Sequence, residues 1–465
     1  MLTKGFKAVA IRAEVRLKSR IPLLILAATL WPVRANELSG GAVHVETTPP
    51  APERLESGAL MRSLAKLERR RYRPYNQGIL VETLDGSKIL AEFNADASLN
   101  PASVMKLGTS LMALAHLGPN HRFLTNVYAD SELDTKKKTL SGNLYVLSDG
   151  NPTFGRQDAL VLSRSLVRRG LRRVEGDLVV AGPFCLDDRF TTQKSAQRLR
   201  QAFTRMGIAI KGKLLLESRS TFDIRSKVLY LSHTSERLRD ILWEQNAHSV
   251  NEIADRLGAL MGGPLALQQF LVENAGIDPR EIYVDRASGL EYNRMTARAG
   301  VKVLRQLHCW LEARQMKLQD IMPVAGLDQG TLYGRFRDPD FRGGVLGKTG
   351  TNPSKDGGVS ALAGMVHTRD YGPVLYAIFN SHGSIKAYRH WQDNFLRDLI
   401  GECGGLGEYL EPHEDFDALS AAWTPSEYWG SLTQEPIRRQ VTKKTRTQSS
   451  RKYLRSRRSV SRSRA

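Results

Sequence analysis

The chain has 465 residues and a formal net charge of +20, from Lys+Arg 68 against Asp+Glu 48. Hydrophobic residues at 41% and charged residues at 25% are near globular averages, which excludes a wholly disordered chain, a collagen and a multi-span membrane protein. Three cysteines (Cys185, Cys309, Cys403) exclude a disulfide-framework miniprotein, and their odd number leaves a thiol unpaired in a monomer.

The charge sits at the two ends. Residues 1–35 carry seven Lys/Arg and one acid, Glu14, and residues 438–465 carry twelve Lys/Arg and no acid. The body between holds only +2 of the total, which argues against a nucleic-acid-binding domain. Lys4, Lys7, Arg12, Arg16, Lys18 and Arg20 precede an apolar run from Ile21 to Val33, and then comes Val33-Arg34-Ala35. That order reads as a secretory signal cleaved after Ala35, with an apolar run too short to span a bilayer. An uncleaved anchor or a buried helix is the competing reading. Residues 36–56, with Gly-Gly and Thr-Thr-Pro-Pro-Ala-Pro, read as a flexible tether. The Ser/Arg-rich tail at 438–465 buries too little to order itself. It reads as a contact for an anionic membrane surface or envelope polyanion, or as a solvated tail with no partner. A periplasmic location is expected.

Helical periodicity runs over Leu55–Arg71, and Ile79–Glu82 and Lys88–Phe93 flank the hairpin signal Asp85-Gly86. Asn100 as a cap and Pro101 at the first helical position start a helix through Leu117. Residues 119–235 mix strand candidates (Phe123–Tyr128, Leu144–Leu147, Asp177–Val180, Lys213–Glu217) with helices at Gln157–Arg169 and Ala196–Met206. Helices follow at Glu236–Trp243, Asn251–Met261, Gly263–Asn274 and Thr296–Arg314. Three strands at Val345–Thr351, Ser360–Val366 and Pro373–Phe379 lead to a closing helix, Lys386–Ile400. One sheet with helices on both faces is expected, its halves brought together across an inserted domain.

Three short motifs stand on these elements. Ser103-Val104-Met105-Lys106 is S-x-x-K at a helix start, where a lysine one turn away can take the serine proton if burial lowers its pKa. Copies at Ser63–Lys66 and Ser449–Lys452 lack that context. Ser249-Val250-Asn251 offers a hydroxyl to relay a proton and an amide to hold a carbonyl, but Ser249 and Glu252 also read as a capping box. Lys348-Thr349-Gly350-Thr351, after Gly347, lies on a strand candidate and could pair with a peptide and hold its carboxylate. A P-loop is excluded, because Arg342 stands where G-x-x-x-x-G-K needs glycine. A Ser-His-Asp hydrolase is disfavoured, since G-x-S-x-G is missing, and neither H-E-x-x-H nor other ligand spacing implies a metal or organic cofactor.

S-x-x-K, S-x-N and K-T-G in this order occur together in penicillin-binding proteins and class A β-lactamases. From about Leu60 to Ile400 the chain resembles the low-molecular-mass class C penicillin-binding proteins, the serine D-Ala-D-Ala carboxypeptidase/endopeptidase family. The resemblance rests also on Val284–Leu290 with Asn293, Met322–Gly326, Gly330–Leu332 and, more weakly, Gly150–Thr153 and Val174–Val180. It implies an α/β (mixed) penicillin-binding/β-lactamase-like fold, an antiparallel sheet flanked by helices, with an inserted α/β domain. It implies Ser103 as nucleophile, Lys106 as its base, Ser249 as proton relay and Asn251 holding the substrate amide. Lys348 and Thr349 would hold the terminal carboxylate, and the N–H groups of Ser103 and Thr351 would form the oxyanion hole beside Gly350.

Peptidoglycan stem peptides and β-lactams are the implied partners, and no nucleic acid. Val250, Arg286-Ala287, Gln329, Asp149 and Asn151 depart from the family pattern without removing a group the chemistry needs. The separation of Ser103 from Ser249 is short for two insertions and far too long for a class A β-lactamase. The expected organisation is a signal peptide (1–35), a linker (36–56), a catalytic domain in two parts (57–118 and 236–405) around an inserted domain (119–235), an extension (406–437) and the basic tail (438–465). A same-fold esterase or β-lactamase, and a catalytically weak cell-wall-binding scaffold using the tail, remain as rival readings.

Overall fold

Largely apolar runs, buried on both faces, form five strands of the sheet whose edge carries Lys348-Thr349-Gly350. The computed structural model describes residues 51–186, 191–413 and 422–425, so the signal segment, most of the tether and the basic tail lie outside the described residues. The strands run in the order Lys88–Phe93, Gln77–Thr83, Gly372–Asn380, Val359–Thr368, Val345–Asn352, each antiparallel to its neighbour. Early and late parts of the chain meet where Gln77–Thr83 pairs with Gly372–Asn380. The two-residue strand Glu53–Arg54, within the segment read as tether, adds in parallel beside Lys88-Ile89.

Successive side chains of a strand point to opposite faces, so each strand serves two cores. Leu80, Leu375, Ala377 and Phe379 join one cluster with Leu107, Leu111, Leu257, Leu271, Val301 and Leu304 from helices Met105–Leu117, Asn251–Leu260, Gly263–Ala275 and Ala297–Glu312. Ile79, Val81, Tyr376 and Ile378 join the other with Leu60, Leu67, Trp391, Phe395 and Leu399 from helices Gly58–Arg69 and Ile385–Glu402. Burial of this kind contributes roughly 1.5–3 kcal/mol per large side chain, which fixes the sheet as a rigid platform.

A second sheet runs Leu214–Glu217, Leu178–Ala181, Leu144–Ser148, Leu124–Ala129, Val228–Thr234, Ala422–Pro425. Helices Arg156–Arg168 and Thr192–Arg205 cover it through Leu162, Leu166, Leu199 and Phe203. Val228–Thr234 has no counterpart among the sequence expectations. Its pairing shifts register between Leu229 and Leu231, which breaks the two-residue alternation by which a strand is read.

Candidate active site

The Ser103 turn begins at Asn100, whose Oδ1 accepts the Ala102 N–H at 2.9 Å as a cap does. A 3-10 turn, Ala102–Val104, then leads into helix Met105–Leu117. Ala102 has φ 44, in the left-handed region that costs an L-residue about 1–2 kcal/mol. Local strain therefore sits one residue before the serine it aims. The Asn100 amide donates to Asp356 Oδ2 at 2.9 Å and to the Glu291 carbonyl at 3.1 Å, and Arg294 holds the same carboxylate at 2.9 Å. These bonds tie the turn to the loop after strand Val345–Asn352.

Lys106 is fully buried. Its Nζ lies 2.9 Å from Ser103 Oγ, 2.7 Å from Asn251 Oδ1 and 2.6 Å from the Ser288 carbonyl oxygen. Burial lowers its pKa to about 7, against the opposing pull of Asp255 and Glu252. Asp255 also organises the acceptor: Oδ1 takes the Ser288 N–H at 2.9 Å, while Oδ2 pairs with Arg286 at 2.5 Å. Arg286, a departure from the family pattern, thus braces the loop that supplies the Ser288 carbonyl.

The expected capping box at Ser249 and Glu252 is not formed. Val250 occupies the cap position of helix Asn251–Leu260 and makes no side-chain cap bond. Ser249 instead ends helix Leu238–His248 in a left-handed conformation, φ 56, and its Oγ accepts from Lys348 Nζ at 2.9 Å. A long-range partner took the hydroxyl that the local pattern had assigned to the backbone.

Lys348 is fully buried on the edge strand and also donates to the Thr349 carbonyl at 2.8 Å. Burial and the nearby Lys106 charge hold its pKa well below the ordinary lysine value. Thr349 Oγ1 and Thr331 Oγ1 share a hydrogen bond of 2.8 Å. The Thr331 N–H donates to the Ala247 carbonyl at 2.9 Å, which fastens it beside the Ser249 turn. Gly350 lies flat against the Ser103 turn, and Thr351 Oγ1 accepts from Arg389 Nη2 at 2.8 Å.

The eight candidate residues therefore converge on one edge. Ser103, Lys106 and Asn251 form one hydrogen-bonded group, and Ser249, Lys348 and Thr349 form a second. The Ser288 carbonyl, Asp255, Thr331, Asp356 and Arg389 were assigned no role from sequence. A cleft of about 520 Å³ opens beside Asn251, lined in part by Glu252, Asp255, Arg286 and Glu291. Among the described residues no group of three His, Cys, Asp or Glu side chains could hold a metal ion.

The model of the D-Ala-D-Ala carboxypeptidase 3 (S13) family matches residues 64–189 and 183–396. The chain belongs to that family. A D-alanyl-D-alanine carboxypeptidase of Actinomadura sp. (strain R39) is 33% identical over 100 residues, which cover 22% of this chain and 18% of the relative. A D-alanyl-D-alanine carboxypeptidase of Haemophilus influenzae is 27% identical over 105 residues, covering 23% of this chain and 22% of the relative. The S13 chain thus spans about a fifth of the length of the curated relatives it matches.

Among solved structures, a predatory endopeptidase of Bdellovibrio bacteriovorus has a TM-score of 0.61 at 21% identity, over 72% of this chain and 96% of that one. The penicillin-binding protein 4 of Haemophilus influenzae gives 0.59 at 20% identity, over 73% and 98%. The S13 chain has their penicillin-binding/β-lactamase-like fold, as the order of the motifs implied.

Proposed function

We propose that this S13 protein is an exported serine D,D-peptidase that cleaves peptidoglycan stem peptides in the periplasm through an acyl-enzyme on Ser103. The observation that carries the reading is the 2.9 Å approach of Lys106 Nζ to Ser103 Oγ, with the amine buried and its pKa drawn to about 7. A neutral amine has two N–H groups and one lone pair. Donating the two to Asn251 Oδ1 and the Ser288 carbonyl leaves the lone pair for the Ser103 hydroxyl.

Ser103 Oγ attacks the D-Ala carbonyl while Lys106 takes its proton. Backbone N–H groups of Ser103 and Thr351 receive the developing oxyanion. The C–N bond breaks, and the proton that Lys106 took passes by way of the Ser249 hydroxyl, which is bonded to Lys348, to the leaving amine, so that Lys106 is neutral again. Water, deprotonated by Lys106, then releases the acyl group and restores Ser103. A β-lactam would be opened by the same attack. Residues 57–118 and 236–405 are read as the catalytic domain and 119–235 as its insertion, a division supported by the second sheet drawing five of its six strands from Leu124–Thr234. Among the described residues no helix is long and apolar enough to cross a membrane.

The test is to incubate purified protein with a pentapeptide ending in D-Ala-D-Ala and with a cross-linked dimeric muropeptide. The expected outcome is D-Ala release, cross-link cleavage, or both, each lost after stoichiometric treatment with benzylpenicillin. Rapid turnover of a cephalosporin or a simple ester without attack on either peptide would establish a β-lactamase or an esterase instead.

A further inference from the structure

The net +2 of the body is the sum of two opposed parts. Residues 119–235, the segment read as the insertion, carry 20 Lys/Arg against 11 Asp/Glu, a net +9, whereas residues 36–118 and 236–437 together carry −7. Part of the positive charge gathers at one end of the insertion. Helix Arg156–Arg168 sets Arg164 and Arg168 four residues apart on one face, and the chain then turns through Gly170 to Arg172. The Arg172 N–H donates to the Lys138 carbonyl at 2.9 Å, in the turn between strands Leu133–Asp134 and Thr139–Leu140. Lys136, Lys138, Arg164, Arg168 and Arg172 are all exposed, and among the described residues no carboxylate pairs with any of them. The acids close by are occupied. Asp134 accepts the Lys136 and Lys137 N–H groups and lies 3.7 Å from Lys137 Nζ, and Glu175 holds Arg173. The negative end of its own helix accounts for Arg168, but not for the other four.

Five neighbouring cations without partners repel one another and attract an external anion. They project from the outer face of a helix and from a turn, so they cannot close around a single linear polymer. A plane of mobile anionic headgroups can meet all five. The charge split acts in the same direction: near a negative plane the insertion is drawn in and the remainder of the body is pushed away. We propose that Lys136, Lys138, Arg164, Arg168 and Arg172 dock this end of the insertion on an anionic lipid bilayer. The contact is a folded surface, separate from the basic tail, and it does not depend on the peptidase reading.

The test measures binding of purified full-length protein to sedimenting vesicles of phosphatidylglycerol and phosphatidylethanolamine, with phosphatidylcholine vesicles as the uncharged reference. One triple variant carries Lys138→Gln, Arg168→Gln and Arg172→Gln. The control carries Arg69→Gln, Arg70→Gln and Arg71→Gln, which removes the same charge from three exposed arginines at the end of helix Gly58–Arg69. Each cation near an anionic surface is worth about fivefold in binding. The first variant is therefore expected to bind the anionic vesicles about 10²-fold more weakly at low salt, and the control within about threefold of wild type. Circular dichroism checks that both are folded. Equal losses in the two variants would mean that net charge alone is read, and unchanged binding in the first would mean that another segment makes the contact; either overturns the proposal. A soluble polyphosphate is the third probe. A first variant that loses polyphosphate yet keeps the vesicles would assign these cations to a linear polyanion and overturn the bilayer contact.

Discussion

Lys106→Met lowers the rate of acylation by about 10²–10⁴-fold, the range lost when a positioned general base is removed. Methionine keeps the buried stem and deletes the amine that approaches Ser103 Oγ. In the wild type only the neutral amine can act, so acylation should rise with pH through about 7, where Lys106 titrates. Stability supplies an independent check. A folded-state pKa drawn from 10.5 to about 7 means that the unfolded chain binds more protons between those values, so stability rises with pH across that window. Keeping the protonated lysine buried below pH 7 costs roughly 5 kcal/mol. Loss of the amine also strands Asn251 Oδ1 and the Ser288 carbonyl, at about 1–3 kcal/mol each. The variant is therefore expected to unfold with a flatter pH dependence between about 7 and 10 while its acylation collapses. A pH–rate profile that is level from pH 6 to 8 in the wild type would remove Lys106 from the role of base.

Gly350→Ala is expected to slow acylation by about 10²-fold although it adds one methyl group and touches no reacting atom. A Cβ at position 350 would meet the Pro101 carbonyl oxygen at 2.5 Å, Ala361 Cβ at 2.9 Å and Ala102 Cβ at 3.2 Å. Backbone cannot yield there as a flexible side chain can, so the Ser103 turn and the edge strand must separate. The two N–H groups assigned to the oxyanion, on Ser103 and Thr351, lie on opposite sides of that contact. A displacement near 1 Å is enough for a loss of about 10²-fold. The overpacking itself costs about 1–3 kcal/mol, so acylation is measured at a temperature where circular dichroism shows the variant folded. An acylation rate within about threefold of wild type would mean that this contact does not set the spacing of the site.

Much of this arrangement was readable because it depends on local order. S-x-x-K puts Ser103 and Lys106 one helical turn apart wherever that helix packs. Between Val345 and Phe379 three short strand-like runs announce three strands, each nearly continuously buried, and the motif falls on the outermost. What could not be read depends on distant neighbours. Ser249 looked like a cap because Glu252 stands three residues on, yet its hydroxyl is taken by Lys348, 99 residues away. The Ser288 contact uses a backbone carbonyl, a group every residue carries, so no residue type marks it. Arg286 seemed only a departure from the pattern until Asp255 was found opposite it. Arg389 lies on a helix whose sequence indicates only amphipathic packing, and its meeting with Thr351 follows from the fold of that helix against the sheet.

The proposed reaction makes Ser103 the nucleophile of a penicillin-sensitive acyl-enzyme. The most direct measurement is to treat the purified full-length protein with fluorescent penicillin, digest it, and locate the adduct by mass spectrometry. One adduct per chain is expected on the peptide bearing Ser103, and none in a folded Ser103→Ala variant. An adduct on any other residue, or persistent labelling of Ser103→Ala, would contradict it.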